Sequence, residues 1–300
     1  MNRPVLAISI GDAPDLEKLG FPNREVRRVL FALCTAFIKN GFSISYAGDL
    51  REGGFTHAMF EFLAGTYAGQ GIVPFHYVVP ATVSSGRKFS DALALARETR
   101  SIAAIHLVRG SEAFELRNSE DRLLVGPKGP SRLTVANEAE WEEFLQAHPS
   151  ENVSEALTDA RRFVAEISVG CVSMGGKMGL VDLPSDQYHG DLPGVAEEAL
   201  MFIQACKPYI PLGAFGGATR DIAIALSLLA EGDRSPRGEQ LAGYNVAMAR
   251  IRAIGSGISA ELRSHLEAVV KEENAEEAAQ LALGIIQRSL ASSEGTQPDR

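Results

Sequence analysis

Three glycine-rich stretches sit where an apolar run gives way to a helical pattern: Gly48–Thr56, Gly175–Gly179 and Gly213–Gly217. A strand-to-helix turn of this kind offers unpaired backbone N–H groups and the positive end of a helix dipole. Glycine also lets the main chain approach a phosphate closely. Three such turns point to a pocket for a phosphate or nucleotide. The side chains beside them carry matching chemistry. Asp49 and Arg51 could touch ribose and phosphate, or Arg51 could simply pair with Glu52 at the surface. Lys177 could set a point charge against a phosphate, or be an ordinary solvated loop lysine. Glu198 follows Gly194 by four residues, one turn into a helix. It could hold a ribose hydroxyl pair or polarise a water for attack at an anomeric carbon. Alternatively, Glu197 and Glu198 only complement the helix N-terminus. Arg220 and Asp221, after Gly216-Gly217, are open to the same two readings.

Other chemistries lack their residues. The six histidines do not cluster, and only His57 follows a glycine turn closely. His189 shares a segment with Asp186, Tyr188 and Asp191 that could be a lid, though an exposed polar loop is the simpler reading. No histidine or cysteine spacing suits a metal, so no metal and no cofactor is expected. There is no GxSxG elbow and no Walker A lysine-serine pair. Cys34, Cys171 and Cys206 lie in apolar stretches and read as buried thiols. A net charge of −9 disfavours nucleic acid, because phosphate neutralisation supplies most of that affinity. No apolar run is long enough for a bilayer span, and the N-terminal run lacks a signal-peptide pattern, so a cytoplasmic address is expected.

The elements that must position these residues alternate. Val5–Ile10 reads as a buried strand. Val26, Val29, Leu30, Leu33 and Phe37 then mark one face of a helix that Asn23 can cap and Gly41 ends. A strand over Phe42–Tyr46, a helix over Phe55–Tyr67 and a strand over Ile72–Val79 complete a βαβ pattern. Ala92–Thr99 reads as a short helix and Ile102–Val108 as a strand. Phe114–Arg117 and Arg122–Val125 form a hairpin or an irregular excursion, so an insertion is expected at about 110–150. Gly126–Pro130 is a loop by composition, and Asn137 with Glu140 resembles a capping box. A second half follows: a helix over Ser154–Ile167, strands over Val169–Met174 and Pro208–Leu212, a helix over Ala196–Ala205 and another from Gly217 through Leu229. Beyond Glu231–Gly238 only helical stripes remain, closed by a loose tail from Ser292. The expected architecture is α/β, with a mainly parallel sheet flanked by helices. A ligand-binding domain over 1–230 would precede a helical appendix over 231–300.

These motifs carry a resemblance. Tyr46-Ala47-Gly48-Asp49 through Gly53-Gly54-Phe55-Thr56, then a helix and a strand ending Val79-Pro80, resembles the first glycine loop of the SLOG superfamily (SMF/DprA and LOG, "lysine decarboxylase-like"). The second half is similar to that family's PGGxGTxxE signature, split in two: Gly175-Gly176, an insertion over Lys177–Pro193, then Gly194-Val195-Ala196-Glu197-Glu198. Arg161 and Arg162 stand where LOG-type proteins carry a basic residue near the phosphate. The resemblance implies a Rossmann-like fold and a nucleotide-derived ligand, either sensed, as with ADP-ribose-like signals, or hydrolysed at an N-glycosidic bond with Glu198 assisting. It implies ligand contacts from Gly48, Asp49, Arg51, Gly53, Gly54, Thr56, Arg162, Gly175, Gly176, Lys177, Gly194, Glu197, Gly216 and Gly217. Homo-oligomers are implied too, since LOG-type relatives are commonly dimers. Val195 replaces the family threonine, and the third glycine loop with its helical tail looks more like sensor-type members.

Overall fold

The computed structural model describes residues 3–22, 24–127, 132–149, 152–255, 258 and 260–294. Asn23, residues 128–130 of the expected loop and the end of the expected tail lie outside them. The chain opens with β1 (Val5–Gly11), then α1 (Arg24–Lys39), β2 (Ser43–Ala47), α2 (Phe55–Tyr67) and β3 (Phe75–Pro80). A single turn, α3 (Ala81–Ser84), precedes α4 (Phe89–Thr99), β4 (Ala103–Arg109), β5 (Glu112–Ser119), β6 (Arg122–Val125) and β7 (Leu133–Val135). Next come α5 (Glu138–Ala147), α6 (Val153–Ile167), β8 (Gly170–Gly175), α7 (Gly194–Gln204), β9 (Tyr209–Pro211) and α8 (Gly217–Ala225). The end is helical, with α9 (Ala242–Gly255), α10 (Ala260–Val269) and α11 (Ala275–Glu294). The fold is α/β and Rossmann-like, with mainly parallel strands flanked by helices. Packing divides the chain into two compact units, Met1–Phe42 with Ser168–Arg300, and Ser43–Ile167.

The first unit holds three parallel strands in the order β1-β8-β9. All but the last residue of β1 and all six of β8 are buried, as suits parallel strands covered on both faces. Helix α7 packs on all three strands, and α8 on β8 and β9. The C-terminal helices join this unit: α9 packs on α7 and α8, and α11 on α1. The face of α1 read from its periodicity, Val26, Val29, Leu30, Leu33 and Phe37, is buried, at roughly 1.5–3 kcal/mol for each large side chain. Helix α8 ends at Ala225 rather than at Leu229. Ser227 adopts a left-handed φ of 59°, which turns Leu228 and Leu229 back into the core.

In the second unit β2, β3 and β4 run parallel, and β4-β5-β6-β7 continue antiparallel. The excursion the sequence left open is therefore a regular hairpin, Leu116 opposite Val125. The short β7 escaped the sequence reading because two of its three residues are exposed and no alternation marks it. Asn137 caps α5 as its pairing with Glu140 suggested, accepting the Glu140 N–H at 3.0 Å. Helix α6 packs on β2, β3 and β4.

Candidate functional site

In the first unit the carboxyl ends of β1 and β8 meet at Gly11 and Gly175, which lie side by side in register. The Gly176 N–H donates to the Gly11 carbonyl at 3.0 Å, and the Gly176 carbonyl accepts from the Ala218 N–H at 2.9 Å. Gly176 has φ +97°, and a Cβ there would come within 2.6 Å of Val195 Cγ2. Gly217, at φ +64°, could not carry a Cβ either, since it would lie 2.5 Å from the Gly175 carbonyl carbon. Gly217 is therefore required by main chain stacking on main chain, and Gly176 by its positive φ and by the Val195 and Ala218 side chains packed against it. They bring the starts of α7 and α8 together over the strand ends.

The two helix starts differ. At α8, Asp15 from the loop after β1 accepts the Gly217 N–H at 2.7 Å, so a carboxylate already complements that end. Helix α7 begins with Gly194 after Pro193, which makes no side-chain cap. Glu197 and Glu198 on α7 are both buried. Glu198 accepts a hydrogen bond from the Ser9 hydroxyl on β1. On the same strands the Ser173 and Tyr209 hydroxyls hydrogen-bond at 2.6 Å. Burial drives the Cys171 thiol and the Tyr209 phenol well above their usual values, and the Glu198 charge adds to both effects. A carboxylate is thus buried in a polar layer between α7 and the strands.

The segment between Gly176 and Gly194 is largely exposed, as a polar loop would be, and it is anchored from within by one buried carboxylate. Asp186 is only 3% exposed and accepts the N–H groups of Met178 at 3.0 Å and Leu180 at 2.8 Å. Burial raises its carboxyl above the usual range, against the pull of those N–H groups and of Lys177. The Lys177 ammonium donates to the Gln187 carbonyl at 2.7 Å, which ties the segment to itself. A second strap, residues 236–244, holds it from outside. Leu180 bridges Gln240 antiparallel, and Leu241 N–H donates to the Gly179 carbonyl at 2.8 Å. Arg237 is anchored in turn by a bidentate pair with Asp221 of α8, and the Tyr244 hydroxyl donates to the same carboxylate. Arg220 donates to the carbonyls of Asp233 and Gly213. Asp15, Arg237 and Tyr244 were not singled out from the sequence, because their partners lie from 16 to 202 residues away.

The second unit holds the other glycine turn. A Cβ on Gly48 would lie 2.8 Å from Thr56 Oγ1 and 2.9 Å from Tyr46 Cζ, so those side chains would have to shift to admit one. The Tyr77 hydroxyl donates to the Gly48 carbonyl at 2.8 Å. Asp49 and Arg51 pair with each other at 2.6 Å, both largely exposed. Gly53 has φ +70°, and Gly54 precedes α2 with no side-chain cap. Thr56 is buried, while His57 is exposed and pairs with Glu61 at 3.3 Å. Arg162 lies on α6, half exposed and paired with Asp159.

A family model described as SLOG cluster2 matches residues 1–237. The chain belongs to the SLOG cluster2 family. Comparison with curated proteins gave no match. The matched span covers β1 through Arg237, the residue that fastens the strap to α8. In this SLOG cluster2 chain Cys34 and Cys171 are buried thiols, but Cys206 is exposed, carried outward by a left-handed φ of 54° just after α7. Two histidines that looked unrelated in the sequence meet on neighbouring strands. His76 Nδ1 lies 3.0 Å from His106 Nε2, with Phe163 of α6 packed on His106. Burial lowers the pKa of both, that of His106 to about 4 with His76 adding to the effect. Among the described residues no group of three or more His, Cys, Asp or Glu is placed to hold a metal, and no helix is long and apolar enough to cross a membrane.

Proposed function

We propose that this SLOG cluster2 protein binds a small nucleotide-derived ligand, ADP-ribose-like or a nucleoside phosphate, and senses or sequesters it. The observation that carries this reading is the start of α7, which lacks a side-chain cap and sits against Gly176 with Glu198 buried one turn further in. Such an end is suited to a phosphate, and a carboxylate one turn along is suited to ribose hydroxyls. Gly175, Gly176, Gly194 and Glu197 belong to that arrangement, while the Gly217 N–H, held by Asp15, contributes shape rather than a free donor. In the second unit Gly48, Gly53, Gly54 and Thr56 form the corresponding turn. Homo-oligomer formation in the cytoplasm is part of the same proposal.

A second reading is hydrolysis of an N-glycosidic bond in a nucleoside monophosphate, and the buried Glu198 favours it. Its carboxylate would take a proton from water as the oxygen bonds to the anomeric carbon, and the base would leave with the electrons of the broken C–N bond and a proton. Incubating the purified protein with nucleoside monophosphates and dinucleotides, then separating free base, distinguishes the two. Unreacted binding with a raised melting temperature supports sensing. Base release that disappears in Glu198→Gln replaces sensing with hydrolysis. Neither binding nor release by any nucleotide rejects both.

A further inference from the structure

In the second unit, helix α5 and the loop between α3 and α4 flank a cavity of about 510 Å³. That volume lies in the range of small-molecule sites. Glu138, Trp141, Glu142 and Leu145 line it from α5, at the spacing that places four side chains on one helix face. Arg87 and Lys88 line it from the loop. No residue of the Gly48 turn takes part.

The walls of this cavity are fixed by the chain itself. The Trp141 indole N–H donates to the Arg87 carbonyl at 3.0 Å, and the Arg87 N–H donates to the Ser84 carbonyl at 3.1 Å. Glu138 accepts the Phe89 N–H at 2.9 Å. The buried Arg109 donates to the Ser84 hydroxyl and to the Leu145 carbonyl, each at 3.1 Å, and so ties the loop to the end of α5. A site ordered in advance loses little entropy when a ligand enters.

Opposite charges line this cavity without joining. Among the described residues the Arg87 guanidinium makes no hydrogen bond and no ion pair, and its Nε is buried. Lys88 and Glu142 have no ion-pair partner among those residues either. A buried guanidinium N–H without an acceptor is costly, so it calls for one that the chain does not supply. A lone anion would meet the carboxylates of Glu138 and Glu142, and a lone cation would meet Arg87 and Lys88. A ligand that carries both charges satisfies both walls. Guanidinium takes a carboxylate through two parallel N–H groups, and Trp141 and Leu145 offer apolar surface to a side chain.

We infer that this cavity binds a zwitterion of the amino-acid class with an apolar side chain, its carboxylate on Arg87 and its ammonium on Glu142. The site goes beyond the nucleotide reading and does not rest on it.

Trp141 is the sole tryptophan of the chain, buried at the cavity, so its fluorescence reports on occupancy. L-Leucine and L-phenylalanine are titrated into the full-length protein, followed by that fluorescence and by calorimetry. Saturable binding of at least one is expected, weakened roughly ten-fold or more in Arg87→Gln and in Glu142→Gln. Glu142 is exposed on α5, so its variant covers the case in which Arg87→Gln fails to fold. Arg97→Gln removes a charge from an exposed pair with Asp121 in the same unit and leaves binding unchanged. Two half-ligands separate the contacts. Isocaproate, which lacks the amine, binds more weakly than leucine and depends on Arg87 but not on Glu142. Isoamylamine, which lacks the carboxylate, depends on Glu142 but not on Arg87. No binding of either amino acid by the wild type overturns the inference, as does wild-type affinity in folded Arg87→Gln or folded Glu142→Gln. Isocaproate bound as tightly as leucine makes this a simple anion site and overturns the zwitterion.

Discussion

Gly217 shows how a residue can look functional in a sequence for a reason that is partly structural. Its position after a strand suggested a phosphate turn, yet its N–H is taken by Asp15 and its Cα lies against the Gly175 backbone. Gly217→Ala places a methyl 2.5 Å from a main-chain carbon at φ +64°, with no flexible side chain to yield. The expected loss is about 2 kcal/mol or more in urea unfolding. Gly20, which has open space around it, serves as the comparison. The His76–His106 pair gives a second test. Folding holds both imidazoles neutral, with folded-state pKa values below the usual 6.5. The unfolded chain therefore binds more protons between about pH 6.5 and the lowered values, and stability falls as pH drops through that window. Below about pH 4 the His106 contribution to the slope ends. Urea midpoints measured from pH 7.5 to 4.5 should decline less steeply in His106→Asn than in the wild type. An unchanged slope would contradict this assignment. Nothing in the sequence announced the pair, because 30 residues separate its members.

Among the elements, those with strong periodicity were legible. Helices α1, α2 and α6 lie close to where their apolar spacing put them, and β1 and β8 where short apolar runs put them. Membership of the SLOG family was legible as well, from glycine-rich turns at strand ends. The anchoring of the segment over Lys177–Pro193 was not. Its order comes from Asp186 and from a strap more than 50 residues later, which no local pattern encodes. Two buried groups decide that strap. Arg237→Ala leaves Asp221 as a buried charge with only the Tyr244 hydroxyl and should cost about 3–5 kcal/mol in denaturant unfolding. It should also open residues 177–193 to limited proteolysis. The double substitution Arg237→Met with Asp221→Asn should recover part of that loss, because no unpaired charge remains. Proteolysis unchanged in Arg237→Ala would mean that the Leu180–Gln240 bridge holds the segment alone.

At the scale of the molecule, the α/β class followed from the alternation of strand and helix signals. The division into units did not. The first unit combines residues 1–42 with 168–300, so its three strands come from distant parts of the chain. Each unit carries its own glycine turn at the end of parallel strands, Gly175-Gly176 in one and Gly48 in the other. A ligand that binds only the folded chain raises its stability by mass action, roughly 2.7 kcal/mol at a hundred times its Kd. Calorimetric titration of the wild-type protein with AMP and ADP-ribose, paired with thermal unfolding under the same conditions, tests nucleotide binding most directly. The expected result is saturable heat with at least one of them and a melting temperature that climbs with its concentration. No heat and no shift with either, from folded protein, would contradict it.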